Sequence, residues 1–300
     1  MLKFSRCSEL RARRAGIIAV AIVCGLVIAG CSALRLTYSQ GPQIAYLWLD
    51  RQFDFDDPQA ARAKEGLARW FDWHRRQELP QIAALLSRAS DEVTRDMTGE
   101  QLCRYWDALA AHADAAVEQA LPDAYEVARL LGARQLATLR KRQARSDEKF
   151  ADDYLQPDPA KRRRAAIERT VERAQRLYGR LGDAQHKAIE QAVDASPFDP
   201  QRTLVERQRR HAELQQLLEH LQAQPALTRG DAASALRRYW QHVRHSPDES
   251  YAGYASHLTA YSCEASARVH NATTAAQRAT ARERLRDWAA DLRQLATTAS

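Results

Sequence analysis

Nothing in this 300-residue sequence alternates β-branched and polar residues at the period of two that a half-buried strand requires. Glycine is scarce, 11 in all, and most of the ten prolines stand between periodic segments. These shortages leave little material for sheets or tight hairpins. Recognisable catalytic apparatus is missing too. There is no GxSxG elbow, P-loop, HExxH helix or Rossmann glycine fingerprint, and no nucleophile–base combination. The five cysteines form neither a CxxC nor a metal-ligand spacing. The expectation is a non-enzymatic protein without cofactor or metal.

Long apolar runs are also rare. The exception is residues 15–30, sixteen uncharged residues, short of the roughly 20 that span a bilayer. Lys3, Arg6, Arg11, Arg13 and Arg14 precede this run and Cys31 follows it, the order of a secretory signal. Ile28-Ala29-Gly30-Cys31 resembles the lipobox of bacterial lipoproteins, in which small residues admit the peptidase and the cysteine thiol takes the lipid. That resemblance implies cleavage before Cys31, acylation including palmitate, and a membrane anchor. With Ser32 rather than Asp next, it implies the periplasmic face of the outer membrane. The expected organisation is a signal peptide at 1–30, a lipidated, aromatic, membrane-proximal segment at 31–57, and an all-helical domain at 58–300.

Export changes the charge argument. The chain carries +7, from 45 basic and 38 acidic residues. The signal removes five basic residues and one acidic, leaving +3, which gives no support for nucleic-acid binding. Cys7 and Cys24 leave with the signal and Cys31 is lipidated. Cys103 and Cys263 remain in an oxidising compartment, and a disulfide is expected between them.

What is present is helical periodicity. Leu67, Trp70, Phe71 and His74 make one stripe, continued after Pro80 by Ile82, Leu85 and Leu86. Others are Ile167-Val171-Ala174-Tyr178 and Ala281-Leu285-Trp288-Leu292-Leu295. Asp57-Pro58, Asp158-Pro159, Asp199-Pro200 and Ser246-Pro247 read as helix starts, with a capping box from Ser246 to Glu249. Five segments place Gln three residues after a capping residue: Asp56 to Gln59, Thr98 to Gln101, Gly132 to Gln135, Gly182 to Gln185 and Thr274 to Gln277. The fold class expected is all-α, one domain of about seven to nine antiparallel helices joined by short loops.

Two family resemblances follow. Trp48-Leu49-Asp50-Arg51, Trp70-Phe71-Asp72-Trp73-His74-Arg75-Arg76, Leu155-Gln156-Pro157-Asp158-Pro159, Ser196-Pro197-Phe198-Asp199-Pro200 and the 270–278 segment resemble a family of proteobacterial lipoproteins defined only as a domain of unknown function. It implies that Cys103 and Cys263 belong to its pattern and brings no activity. The Gln-bearing helix starts, Met97-Thr98-Gly99-Glu100-Gln101 above all, are similar to the repeated Leu-Thr-x-x-Gln of small periplasmic chaperones of the Spy and CpxP type, which form a curved helical cradle.

Candidate binding residues are the basic-aromatic Trp73, His74, Arg75 and Arg76, suited to an anionic headgroup or glycan, and Arg140, Lys141 and Arg142 on an arginine-rich helix. His242 and His245 could begin a metal site, but nothing fixes a third ligand. Residues 156–164 form a turn and a basic first helical turn, opposed to the helix dipole and therefore either a solvated face or held for a partner. The aromatics of residues 38–55 either rest on the membrane or form the first helix's core face. The function expected is capture of unfolded or envelope polypeptides, with binding of lipid or cell-wall fragments as the alternative and an unidentified enzyme third.

Overall fold

The computed structural model describes residues 37–224 and 226–297; the expected signal and lipobox, with Cys31, lie outside the described residues. Pro42–Ser300 is one compact unit. Its elements are α1 (Gly41–Phe53), α2 (Asp57–Trp73), a π-helical turn (His74–Glu78), α3 (Leu79–Glu92), α4 (Gly99–Ala128), α5 (Ala133–Tyr154), α6 (Pro159–Tyr178), α7 (Asp183–Asp194), α8 (Pro200–Ala223), α9 (Arg229–Arg244), α10 (Glu249–Asn271) and α11 (Ala275–Thr297). Among the described residues there is no strand, so the chain is all-α. Eleven α-helices, not seven to nine, are present among the described residues. The starts at Gly41, at Leu79 beyond the π-turn, and at Thr228, whose hydroxyl caps Asp231 N–H, carry none of the signals read from sequence.

Of the two starts read for α2, the Asp56-to-Gln59 capping box is the one formed, and Asp57 is the first residue of the helix. One cap is displaced from expectation: Asp248, not Ser246, caps α10, while the Ser246 hydroxyl donates to Glu206 at 3.1 Å and accepts the Asp248 N–H at 3.3 Å.

Helix pairs run antiparallel. Along α3 and α11, Ser87 meets Arg293 while Asp91 meets Arg286. Along α5 and α8, Arg140 meets Glu219 while Ser146 meets Arg207. The 30-residue α4 runs about 45 Å and links two groups of helices. Its C-terminal half packs with α2 and α9 around a core of Tyr125, Leu131, Leu136, Leu139, Leu218 and Leu221. Its N-terminal end meets α10, beyond which Leu181, Ile189 and Val269 form a second core, flanked by Ile167, Val171 and Tyr178. The disulfide between Cys103 of α4 and Cys263 of α10, Cα atoms 5.5 Å apart, fastens this junction.

The Gln-bearing helix starts do more than cap. Each Gln Oε1 accepts the N–H of its own capping residue, as at Gly132 (3.1 Å) and Gly182 (2.7 Å), where glycine has no side chain to return the bond. The amide nitrogen then crosses to another start. Gln59 donates to the Leu130 carbonyl at 2.7 Å, and Gln135 donates to the Asp54 carbonyl at 3.2 Å. Likewise Gln185 donates to the Ala272 carbonyl, and Gln277 to the Arg180 carbonyl at 2.8 Å. In all four cases the accepting carbonyl lies two residues before a capping residue. Four of the five starts thus close into two reciprocal clasps, α2 with α5 and α7 with α11.

Candidate functional site

Five helices leave a cleft of about 550 Å³. Trp48, Leu49 and Phe53 come from α1; Ala63, Gly66, Leu67, Trp70 and Phe71 from α2; Ala124, Val127 and Ala128 from α4. Leu214 and Leu218 of α8 and Leu236 of α9 close the far side. The spacing 63, 66, 67, 70 puts one face of α2 along the wall. Gly66 permits the close approach of α2 to α4, since a Cβ there would lie 2.8 Å from the Asp123 Cβ. Phe53 and Phe55 stack at 5.5 Å across the short α1–α2 link and pack against the core beneath.

The lining carries one ionisable side chain, Asp123, and Arg69 occupies it in a bidentate pair at 2.5 and 3.3 Å. The cleft is therefore equipped to hold an apolar group rather than to move protons. A volume in the range of roughly 300–1,000 Å³ with a nearly wholly apolar lining is the form of a small-ligand pocket. At its margin α1 turns Ile44, Leu47 and Trp48 outward, Trp48 being 61 % exposed although it also lines the cleft. The aromatic segment read from sequence is thus divided, with Phe53 and Phe55 facing the core.

Trp73, His74, Arg75 and Arg76 lie at the end of α2 and in the π-turn, and none of them lines the cleft. The His74 ring stacks on Trp70 at 4.7 Å, and Trp70 donates its indole N–H to the Ala116 carbonyl at 2.8 Å. Burial pushes the His74 pKa below 6.5, against the pull of the Glu78 carboxylate. Glu78 is buried and meets His112 at 2.7 Å. Arg76 pairs with Asp72 one turn back, and Arg75 is half-buried. This segment supports the cleft wall from behind.

Arg140 pairs with Glu219 of α8 at 3.4 Å, Lys141 is exposed and Arg142 is half-buried. The structure does not bring this trio together with residues 73–76. His242 takes Glu213 at 2.5 Å, while the His245 N–H donates to the Gln241 carbonyl at the end of α9. Among the described residues no three or more His, Cys, Asp or Glu gather as metal ligands, and no helix is long and apolar enough to cross a membrane. His270 and Asn271 hold the Arg95–Met97 loop by side-chain hydrogen bonds.

Residues 51–238 match the Family of unknown function (DUF6279). The chain belongs to that family. No curated protein and no solved structure matches it significantly. The DUF6279 segment contains α2 through most of α9, hence most of the cleft wall and the whole of the α2–α5 clasp. It excludes Cys263 and half of the α7–α11 clasp. The cleft thus belongs to the family's own segment, and it went unread in the sequence because Leu67, Trp70 and Phe71 are indistinguishable there from residues packed against a neighbour.

Proposed function

We propose that this DUF6279 protein is a non-enzymatic envelope lipoprotein, anchored through Cys31 on the periplasmic side of the outer membrane, that binds the acyl chain of a lipid. One observation carries the reading: a cleft of about 550 Å³ whose sole ionisable lining residue is already paired. An acyl chain gains about 0.8 kcal/mol for each methylene buried there, and such a lining gives a polar ligand no partner. The outward Ile44, Leu47 and Trp48 place apolar side chains beside the cleft on a helix that begins ten residues after Cys31. The intact mass of the mature protein tests the anchor: it should equal residues 31–300 plus acyl groups on Cys31, and an unmodified Cys31 rejects it.

Ala124 tests the cleft. It is exposed on α4 yet lines the cleft, so Ala124→Asp introduces a carboxylate without disturbing a packed position. Binding an acyl chain over that carboxylate strips its water. Titration with a fluorescent fatty acid should show saturable binding that weakens at least tenfold in Ala124→Asp, with the helical circular dichroism signal unchanged. Equal binding by both proteins rejects the reading.

Polypeptide capture is the second reading, favoured by the same exposed edge of α1, since apolar side chains of an unfolded segment could enter the cleft. Suppression of aggregation by the protein, lost in Ala124→Asp while fatty acid fails to bind, would select it.

A further inference from the structure

A second cleft, of about 700 Å³, opens between the end of α5, α6, the link from α7 to α8, and α10. It shares no lining residue with the apolar cleft, and its chemistry is different. Residues 162, 166, 169, 170 and 173 of α6 all line it, so one face of that helix is turned into the concavity. Four of the lining residues are arginines and one, Asp194, is acidic. Arg163 takes Asp194 in a bidentate pair at 2.5 and 2.8 Å. Three guanidinium charges remain without a carboxylate among the described residues.

Two of the three are held, but not neutralised. Arg162 donates to the backbone carbonyls of Gln156 and Pro157. Arg169 lies 4.4 Å over the Tyr154 ring and donates to the Asp153 carbonyl at 3.3 Å, leaving most of its five N–H donors open. Arg173 has no partner among the described residues. Cation–π and carbonyl contacts fix a guanidinium in place while preserving its charge. Three like charges facing one concavity repel, and an anion relieves that repulsion. The basic first turn of α6, ambiguous in sequence, is therefore divided: Arg162 and Arg163 line the cleft, while Lys161 and Arg164 are exposed outside it.

The remaining lining is amphipathic. Phe198 meets Tyr154 edge-on at 5.8 Å and keeps 38 % of its surface exposed. On the α10 wall, Ser262, whose hydroxyl donates to the Leu258 carbonyl at 2.7 Å, and Ser266 stand beside Leu258 and Tyr261. We infer that this cleft binds an anionic saccharide. Planar guanidinium forks suit a sugar carboxylate or phosphate, an exposed ring suits the C–H face of a sugar, and serine hydroxyls suit its hydroxyls.

The test uses the full chain, purified from membranes in a nonionic detergent. Isothermal titration compares the disaccharide of N-acetylglucosamine and N-acetylmuramic acid with diacetylchitobiose, which has the same ring count but no carboxylate. The acidic sugar should bind saturably, at least tenfold more tightly than the neutral one, and less tightly as salt rises. Arg173→Glu, at an exposed position without partners, should weaken binding at least tenfold with the melting temperature unchanged. Arg169→Lys keeps the charge, loses the planar fork, and should weaken it as well. Ala124→Asp should leave this titration unaltered, which separates it from acyl binding. Equal affinity for the two sugars, or an Arg173→Glu protein that binds like the wild type, overturns the inference. So does Arg173-dependent binding to phosphatidylglycerol vesicles without binding of the acidic disaccharide, which would assign the cleft to lipid headgroups.

Discussion

His270 is 1 % exposed and its proton is fixed by two bonds. Its Nε2 lies 2.7 Å from the Arg95 carbonyl, which only accepts, so Nε2 carries the hydrogen. Nδ1 then accepts from the Tyr178 hydroxyl at 2.9 Å, and burial pushes that phenol up to about 12, keeping it a donor. Burial also lowers the His270 pKa below 6.5; the Arg95 carbonyl opposes this, Arg278 reinforces it, and Asp96 opposes it. His74 is lowered mainly by burial too. For both residues the unfolded chain binds protons more readily than the folded one. Their contribution to stability is therefore complete above about pH 6.5 and is lost as pH falls through the lower folded-state values. Thermal unfolding followed by circular dichroism should show the melting temperature declining from pH 7.5 to 5. His270→Gln can keep both hydrogen bonds without titrating, and it should flatten that decline. Parallel declines in the two proteins would remove His270 from the account.

At the scale of elements, the capping pattern was legible because it is local: a capping residue and the Gln three positions on satisfy each other's backbone N–H groups. The clasp was not, because the second hydrogen bond of each Gln joins chain positions 71 to 97 residues apart, which no local periodicity records. Four of the five copies thus have a structural role of their own, while the Thr98–Gln101 copy, nearest the chaperone motif, forms a capping box outside the clasps. The glutamines of those four hold helix starts together, and Gln59, Gln135 and Gln185 are buried doing so. Gln135→Ala leaves the Gly132 N–H and the Asp54 carbonyl unpaired, a cost of about 1–3 kcal/mol. Within one clasp the two glutamines tie the same pair of helix starts together, so Gln59→Ala and Gln135→Ala should be non-additive. Gln135→Ala and Gln185→Ala act in different clasps and should add to within about 0.5 kcal/mol. Chemical denaturation of the single and double variants measures this, and additivity in both pairs would show that the clasps are not cooperative units.

For the whole molecule, the all-α class followed from periodicity and punctuation, whereas neither large cleft did. A stripe such as Leu67-Trp70-Phe71 states that a helix face is apolar, not whether a neighbour fills the space against it. Arg169 and Arg173 carry no local sign that a second wall stands opposite. The disulfide was legible by elimination, and the structure adds what it fastens. Close to it, Asn271 accepts the Met97 N–H at 2.9 Å and donates to the Met97 carbonyl at 3.0 Å. The junction of α4 and α10 is thus held twice, once covalently and once by hydrogen bonds. The covalent link acts mainly on the unfolded chain. Closing a loop across a separation of 160 residues is worth on the order of 5 kcal/mol in the chain-entropy model. The hydrogen bonds persist in the folded state when the disulfide is opened, and the apolar cleft is lined by neither α10 nor the N-terminal end of α4. Replacing both Cys103 and Cys263 by Ala should therefore lower the melting temperature by about 10 °C. The denaturant m-value should rise as the unfolded chain expands. Affinity for the fluorescent fatty acid, measured well below the transition, should stay within about twofold of the oxidised protein. A large loss of that affinity would mean that the bridge shapes the native cleft, and an unchanged melting temperature would mean that the hydrogen-bonded junction alone sets the stability of the fold.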